Sequence, residues 1–200
     1  MRIVAGKFRS RILKPVKNLA LRPTSDRLRE TLFDVLGDAV SDSVFIDCYA
    51  GTGAVGIEAL SRGARQVIFI EKYGSAAELI RANLHSLGVE IRKKQDEPQI
   101  EILPIDTRRG LAQLAQRQLR ADFLFADPPY DDIDRCVTVL NESELDHVLA
   151  ETGALILEHS EKAAAPEQIG RLKRTRILKQ GDSALSFYRW ALDESEEGGQ

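Results

Sequence analysis

Ser43-Val44-Phe45-Ile46-Asp47-Cys48-Tyr49-Ala50-Gly51-Thr52-Gly53-Ala54-Val55-Gly56 is the stretch that decides the fold of this chain. Its first five residues are mostly apolar and read as a short strand. Ile57-Glu58-Ala59-Leu60 beyond it reads as helix. Between the two, Gly51, Gly53 and Gly56 have G-x-G-x-x-G spacing. Glycines permit the tight turn and let a ligand lie against backbone N–H groups at a helix N-terminus. A second strand, Gln66-Val67-Ile68-Phe69-Ile70, ends in Glu71, 20 residues after Gly51. That is the distance at which a carboxylate reaches ribose hydroxyls. A third strand, 100–105, ends in Asp106, which can cap a helix or accept from an adenine amino group.

The glycine spacing alone also serves NAD. Two features favour S-adenosylmethionine. Asp47 stands four residues before the first glycine, where a carboxylate accepts from an ammonium group and repels pyrophosphate. Three strand-end acids together suit a ligand that carries a positive sulfonium. The cofactor set is therefore Asp47, Gly51, Gly53, Gly56, Glu71 and Asp106.

Asp127-Pro128-Pro129-Tyr130 closes a further apolar run, Phe123-Leu124-Phe125-Ala126. Two successive prolines cannot continue a central strand, because each lacks an N–H and has a fixed φ. The turn leaves a carboxylate, rigid carbonyls and a ring at a strand's carboxyl end, where open α/β sheets bind ligands. Acceptors beside a stacking ring suit a planar base that bears an amino group. Taken alone, the tetrapeptide is equally a proline turn with a buried tyrosine. The glycine loop upstream favours the catalytic reading, with Asp127, Pro128 and Tyr130 at its centre.

With these residues in place, the chain resembles the class I methyltransferases, and within them the bacterial RsmD family. The likeness runs through Met1–Lys7, Leu21–Phe33, Asp47–Ala64, Glu71-Lys72 and Asp127–Tyr130. It departs at Cys48-Tyr49, where the family more often has Leu-Phe, and at the polar stretch from Arg92 to Pro98, read as a longer loop. The resemblance implies methylation of the N2 amino group of a guanine in small-subunit ribosomal RNA, free or within a ribosomal particle. It also implies that Asp127 and the Pro128 carbonyl take the two amine hydrogens while Tyr130 stacks on the base. Asp127 or water then receives the proton. The rival is an amino-group methyltransferase acting on DNA or another RNA, since Asp-Pro-Pro-Tyr is shared with those enzymes.

Composition sets the frame. Two hundred residues with 43% apolar content fit one globular domain. No apolar run approaches membrane-spanning length. Cys48 and Cys136 have neither metal nor redox spacing, and His85, His147 and His159 are scattered. No metal is expected, and a reducing cytoplasmic setting and a monomer are. The net charge of −3 is uneven, with +7 through residue 30 and −10 beyond it. Arg2, Lys7, Arg9, Arg11, Lys14, Lys17 and Arg22 precede the first acid. A basic arm on an acidic body points to contact with phosphate, and Arg2, Lys7, Arg9, Arg11, Lys14 and Arg22 are its candidate RNA ligands. Arg171, Lys173, Arg174, Arg176 and Lys179 form a second basic cluster, as readily solvated as bound to RNA.

Strands and helices alternate from residue 43 to 158, with helices expected at 54–62, 74–87, 108–118 and 133–150. Thr24 or Ser25 can cap a helix running to Leu36. Residues 175–179 and 184–190 flank a turn and read as an antiparallel hairpin. The expected fold is α/β: a doubly wound, mostly parallel, Rossmann-like sheet of seven strands with that hairpin at its end and the basic extension at its start. Residues 1–30 form the arm and helix start, 31–192 the methyltransferase domain, and 193–200 an acidic tail without fixed structure.

Overall fold

The computed structural model describes residues 1–15, 26–91 and 98–191. Lys17, Arg22, the caps Thr24 and Ser25, the stretch 92–97 and the tail from 192 lie outside them. Helix α1 is Asp26–Leu36, followed by strand β1, Val44–Cys48, and helix α2, Ala54–Ser61. Strand β2, Gln66–Ile70, leads to helix α3, Gly74–Ser86, and strand β3, Gln99–Leu103, to helix α4, Thr107–Gln116. Strand β4 is Ala121–Ala126, helix α5 Ile133–Glu142 and the single turn α6 Leu145–Val148. Strands β5, Leu149–Ser160, β6, Gln168–Ile169, β7, Leu172–Gln180, and β8, Ser183–Trp190, complete the chain.

The strands form one sheet in the order β3-β2-β1-β4-β5-β8-β7-β6. The first five are parallel, and β8, β7 and β6 add on antiparallel. The expected sheet thus gains an eighth, two-residue strand at its edge, too short to leave a pattern in the sequence. All of β1 is buried, as a strand covered on both faces requires. One face packs Phe45, Phe123 and Phe187 against α1, α2 and α3; the other packs Ile46, Leu124 and Tyr188 against α4 and α5. Phe33 of α1 stacks on Phe45 with ring centres 5.9 Å apart.

The helix expected over 133–150 is not one helix. It ends at Glu142, where Ser143 turns to extended backbone and its hydroxyl donates to the Val139 carbonyl at 2.6 Å. Leu145, Val148 and Leu149 have helical spacing, but α6 is a single turn and β5 begins at Leu149. A shift in the pairing with β4 then accommodates residues 150–153. Gly153, directly before the apolar run Ala154–Leu157, lies in this irregularity.

The arm folds as a hairpin. Arg2 and Ile12 form an antiparallel bridge, Ile3 N–H donates to Arg11 at 3.0 Å, and Leu13 N–H donates to Met1 at 3.1 Å. Ile3 and Leu13 are buried with the main core, while Ile12 is exposed. Its backbone is fixed to α2. Val4 and Ala5 N–H donate to the two oxygens of Glu58 at 2.8 and 2.9 Å, and Lys7 N–H to the Ser61 carbonyl at 2.7 Å. Only glycine fits at Gly6, where φ is +77° and a Cβ would come within 1.8 Å of the Ser61 oxygen. No described helix is long and apolar enough to cross a membrane.

Candidate active site

The strand order reverses direction between β1 and β4, so the carboxyl ends of these neighbours open the crevice in which doubly wound sheets bind ligands. Cys48 pairs with Ala126, and Asp127 N–H reaches back to the Cys48 carbonyl at 3.5 Å. The glycine loop and Asp-Pro-Pro-Tyr, 71 residues or more apart in sequence, are thereby adjacent.

Beside them is a cavity of about 410 Å³. Glu71, Asp106, Asp127 and Pro129 line it, with Tyr49, Ile70, Tyr73 and Thr107. Three of the strand-end acids named from sequence thus share one space of the size that holds a drug-sized ligand. Glu71 is fixed before any ligand arrives. Its Oε2 accepts from Gly51 N–H and its Oε1 from Tyr73 N–H, both at 2.8 Å, which leaves further lone pairs for hydroxyl donors. Asp106 is the N-cap of α4, accepting from Arg109 N–H at 3.0 Å, and lines the cavity as well.

Asp47 and the glycines stand outside the cavity wall. Asp47 lies beneath the loop, where its Oδ2 accepts from Gly56 N–H at 2.8 Å and holds the first turn of α2. Burial pushes its carboxyl well above the usual carboxylate range, the Gly56 bond opposes this, and the charges of Asp127 and Glu71 add to the rise. Gly51 and Gly53 have φ of +55° and +76°. A Cβ at Gly53 would press on Ile80 and Phe69 at 3.2–3.3 Å, and one at Gly56 would strike Phe69 at 2.3 Å. The second and third glycines therefore serve helix-on-sheet packing as well as the turn.

Pro128 is buried, Pro129 exposed, and Tyr130 opens a short 3₁₀ turn. The Tyr130 hydroxyl lies 2.6 Å from Ser183 Oγ, which ties the Asp-Pro-Pro-Tyr turn to the start of β8. Of the arm candidates, Arg2, Lys7, Arg9, Arg11 and Lys14 are exposed, and Arg22 is outside the described residues. Arg11 is also tied down, its guanidinium donating to the Ser86 carbonyl at 2.7 Å.

Tyr49 was missed from the sequence. It sits at φ +61°, an uncommon conformation for a bulky side chain, between the buried Asp47 and the glycines, and its ring lines the cavity. Burial holds the pKa of its phenol far above the ordinary phenol range, with Cys136 adding to the rise and Thr107 opposing it. The Cys136 thiol is pushed up to about 12 by burial, the Tyr49 bond opposing. Both cysteines are buried thiols that do not ionise near neutral pH. The signal for Tyr49 was its place: a large residue at the turn from strand to loop, where backbone strain gathers at functional sites.

A cationic ligand would relieve the crowding of carboxylates around Asp47, and a pyrophosphate would worsen it. The donor set therefore fits S-adenosylmethionine, and the fold and crevice are those of the class I methyltransferases that use it. The chain belongs to the RsmD family: residues 1–189 match the family model described as Conserved hypothetical protein 95. "Putative rRNA methyltransferase YlbH" of Bacillus subtilis is 31% identical over 94% of this chain and 98% of that protein. Ribosomal RNA small subunit methyltransferase D of Haemophilus influenzae is 38% identical over 65% of this chain and 64% of that protein. The solved "Putative methyltransferase yhhF" of Escherichia coli superposes with a TM-score of 0.74 at 28% identity, covering 95% of this chain and 97% of that one.

Proposed function

We propose that this chain transfers a methyl group from S-adenosylmethionine to the exocyclic N2 amine of a guanine in small-subunit ribosomal RNA. The observation that carries the reading is the meeting of Glu71, Asp106 and Asp127 in one cavity at the β1–β4 crevice. The names of the RsmD-family relatives, which describe methyltransferases of ribosomal RNA, support the polymer. In this reading Glu71 receives the ribose hydroxyls, Asp106 the adenine amine and Asp47, Gly51, Gly53 and Gly56 the amino-acid end. Bound S-adenosylmethionine supplies an electrophilic methyl on its sulfonium.

The remaining work falls to the chain's own residues. An exocyclic guanine amine is a weak nucleophile, because its lone pair is delocalised into the ring, so placement matters more than basicity. Asp127 and the Pro128 carbonyl accept its two hydrogens and aim the lone pair, and Asp127 favours the charge that grows on nitrogen. Tyr130, anchored through Ser183, stacks on the base once it has left its own stack. Placement of this kind lowers a barrier by several kcal/mol, with roughly 7–11 kcal/mol as the upper range. Residues 1–30 supply RNA contacts and 31–192 the catalytic body. The enzyme works as a monomer in the cytoplasm, on RNA that is free or held in a small-subunit particle, and its two buried free thiols fit that compartment.

The test is incubation with radiolabelled S-adenosylmethionine and, separately, ribosomal RNA, small-subunit particles and DNA, followed by nucleoside analysis. Label in N2-methylguanosine from the RNA or the particles is the expected result. Label confined to DNA adenine would overturn it. Asp127→Ala should reduce turnover at least about tenfold, the equivalent of one charge-assisted hydrogen bond of about 1.5–3 kcal/mol, and leave most cofactor affinity. Unchanged turnover would remove Asp127 from the mechanism.

A further inference from the structure

The second basic cluster divides in the fold. Arg171 pairs with Asp146 at 3.4 Å and Lys179 with Glu161 at 2.8 Å, while Arg174 donates to the Ala165 carbonyl at 2.6 Å and faces Glu167. These three are partnered. Lys173 and Arg176 are exposed and make no salt bridge or side-chain hydrogen bond among the described residues.

The register sets where the two unpartnered cations lie. Arg176 pairs with Phe187 and Leu178 with Leu185, and both partners belong to the core beneath α1 and α2. Lys173 pairs with Arg189, two residues beyond Phe187, hence on the same face. That face therefore carries Lys173, Arg176 and Arg189, an arginine outside the cluster as read from sequence. Arg189 is exposed and aimed, its Nη1 donating to the Thr152 carbonyl at 2.8 Å. Lys173 directly opposite Arg189 is a like-charge cross-strand pair, an arrangement that costs stability when it stands alone. A chain whose net charge beyond residue 30 is −10 thus keeps three cations together on one sheet face.

The same strand leads to the catalytic turn. β8 begins at Ser183, in contact with Tyr130. At about 3.3 Å per residue, Phe187 lies roughly 13 Å and Arg189 roughly 20 Å along it. A ligand that engages both the catalytic turn and these cations is long and anionic, as a polynucleotide is.

We propose that the Lys173, Arg176 and Arg189 face of the C-terminal hairpin binds the phosphate backbone flanking the target nucleotide. The inference rests on the RNA-methylating reading above and adds a second contact surface to the arm. Arg171, Arg174 and Lys179, each facing a carboxylate, are outside it, whereas Arg189 bonds a carbonyl and has no carboxylate partner among the described residues.

Two triple variants test it: Lys173→Gln with Arg176→Gln and Arg189→Gln, and Arg171→Gln with Arg174→Gln and Lys179→Gln. Binding of a small-subunit ribosomal RNA transcript is titrated against salt, with melting temperature and S-adenosylmethionine affinity measured on the same samples. The first variant should bind at least about tenfold more weakly at low salt, with a log–log slope flatter by about two to three units, at unchanged cofactor affinity. The second removes the same charge and should keep a slope within about one unit of wild type. An unchanged slope in the first variant, or equal flattening in both, would overturn the inference. Wild-type chain that binds no RNA at any salt would instead overturn the RNA reading on which it rests.

Discussion

The chain carries two basic hairpins, one at each end, and they are attached in opposite ways. The N-terminal hairpin lies on the helices, and its clasp is ionic. Glu58, wholly buried, receives Val4 and Ala5 N–H, pairs with Arg62 at 3.0 Å and faces the buried Arg29 at 3.6 Å. The C-terminal hairpin continues the sheet, and its join to β5 includes a neutral clasp, His159 Nε2 at 2.9 Å from Ser186 Oγ. Both segments look alike as lists of lysines and arginines. The difference shows that a run of positive charge says little until it is known which backbone groups hold it and which acids already answer it.

Removing the ionic clasp should give the largest effect. Glu58→Ala leaves two backbone donors and two guanidinium groups without their buried acceptor, a loss of about 3–5 kcal/mol by analogy with other broken buried pairs. Denaturant unfolding should show that loss, and hydrogen exchange should show the arm amides Val4, Ala5 and Lys7 opening before those of β8. Equal loss of protection in both hairpins would mean that the clasp serves the whole domain and not the arm.

The arm's cations should come next. Replacing Arg9, Arg11 and Lys14 together by alanine should weaken RNA binding by one to two orders of magnitude at low salt and flatten the salt slope by about two to three units. Arg11 also donates to the Ser86 carbonyl, so its share in phosphate contact should be the smallest of the three. Wild-type affinity and slope in this variant would make the arm a structural element, and the hairpin face would then carry the contact alone.

How much of this was legible follows from what each residue must do locally. The glycine loop, the strand-end acids and the proline stop were readable because each is a backbone requirement written in a few adjacent residues. Asp106 was readable as a cap because α4 begins directly after it. The arm's anchoring was not, because it depends on contacts across 53 and 54 residues between backbone N–H groups and one carboxylate. A hint existed in Glu58 itself, a lone acid within the apolar helix 54–61 and four residues before Arg62. The division of the 171–179 cluster was likewise hidden, because Asp146 and Glu161 answer it from other elements. The break at Ser143 was missed because Leu145, Val148 and Leu149 keep helical spacing across it.

Asn83 of α3 breaks the separation between arm and glycine loop. It is wholly buried, accepts from Lys14 N–H at 2.9 Å and donates to the carbonyl of Thr52, between the first two glycines, at 3.0 Å. Asn83→Leu keeps the volume and strands both groups, each at about 1–3 kcal/mol, so S-adenosylmethionine affinity should fall about tenfold. Calorimetry would check this, with the arm triple variant as a control that keeps cofactor affinity. A normal cofactor affinity in Asn83→Leu would show that the glycine loop is set by Glu71 and Asp47 alone.

The smallest effect is the pH response of the neutral clasp. Burial holds the imidazole of His159 below its ordinary value of 6.5, Arg174 and Lys179 add to the shift, and the Ser160 carbonyl opposes it. The folded chain therefore resists the proton that the unfolded chain accepts. As pH falls through 6.5 the unfolded state gains protons first, so this contribution to stability is complete above 6.5 and diminishes as pH falls toward the lower folded value. His159→Gln has no proton to take up, and its unfolding free energy should vary less with pH just below 6.5 than that of wild type. His159 bonds Ser160 and Ser186, both outside the arm, so the arm's protection against exchange should follow the global change and show no additional loss of its own. Parallel pH curves for wild type and His159→Gln would mean that the imidazole takes up its proton equally in the folded and unfolded chain, and the clasp to Ser186 would then contribute the same stability on either side of pH 6.5.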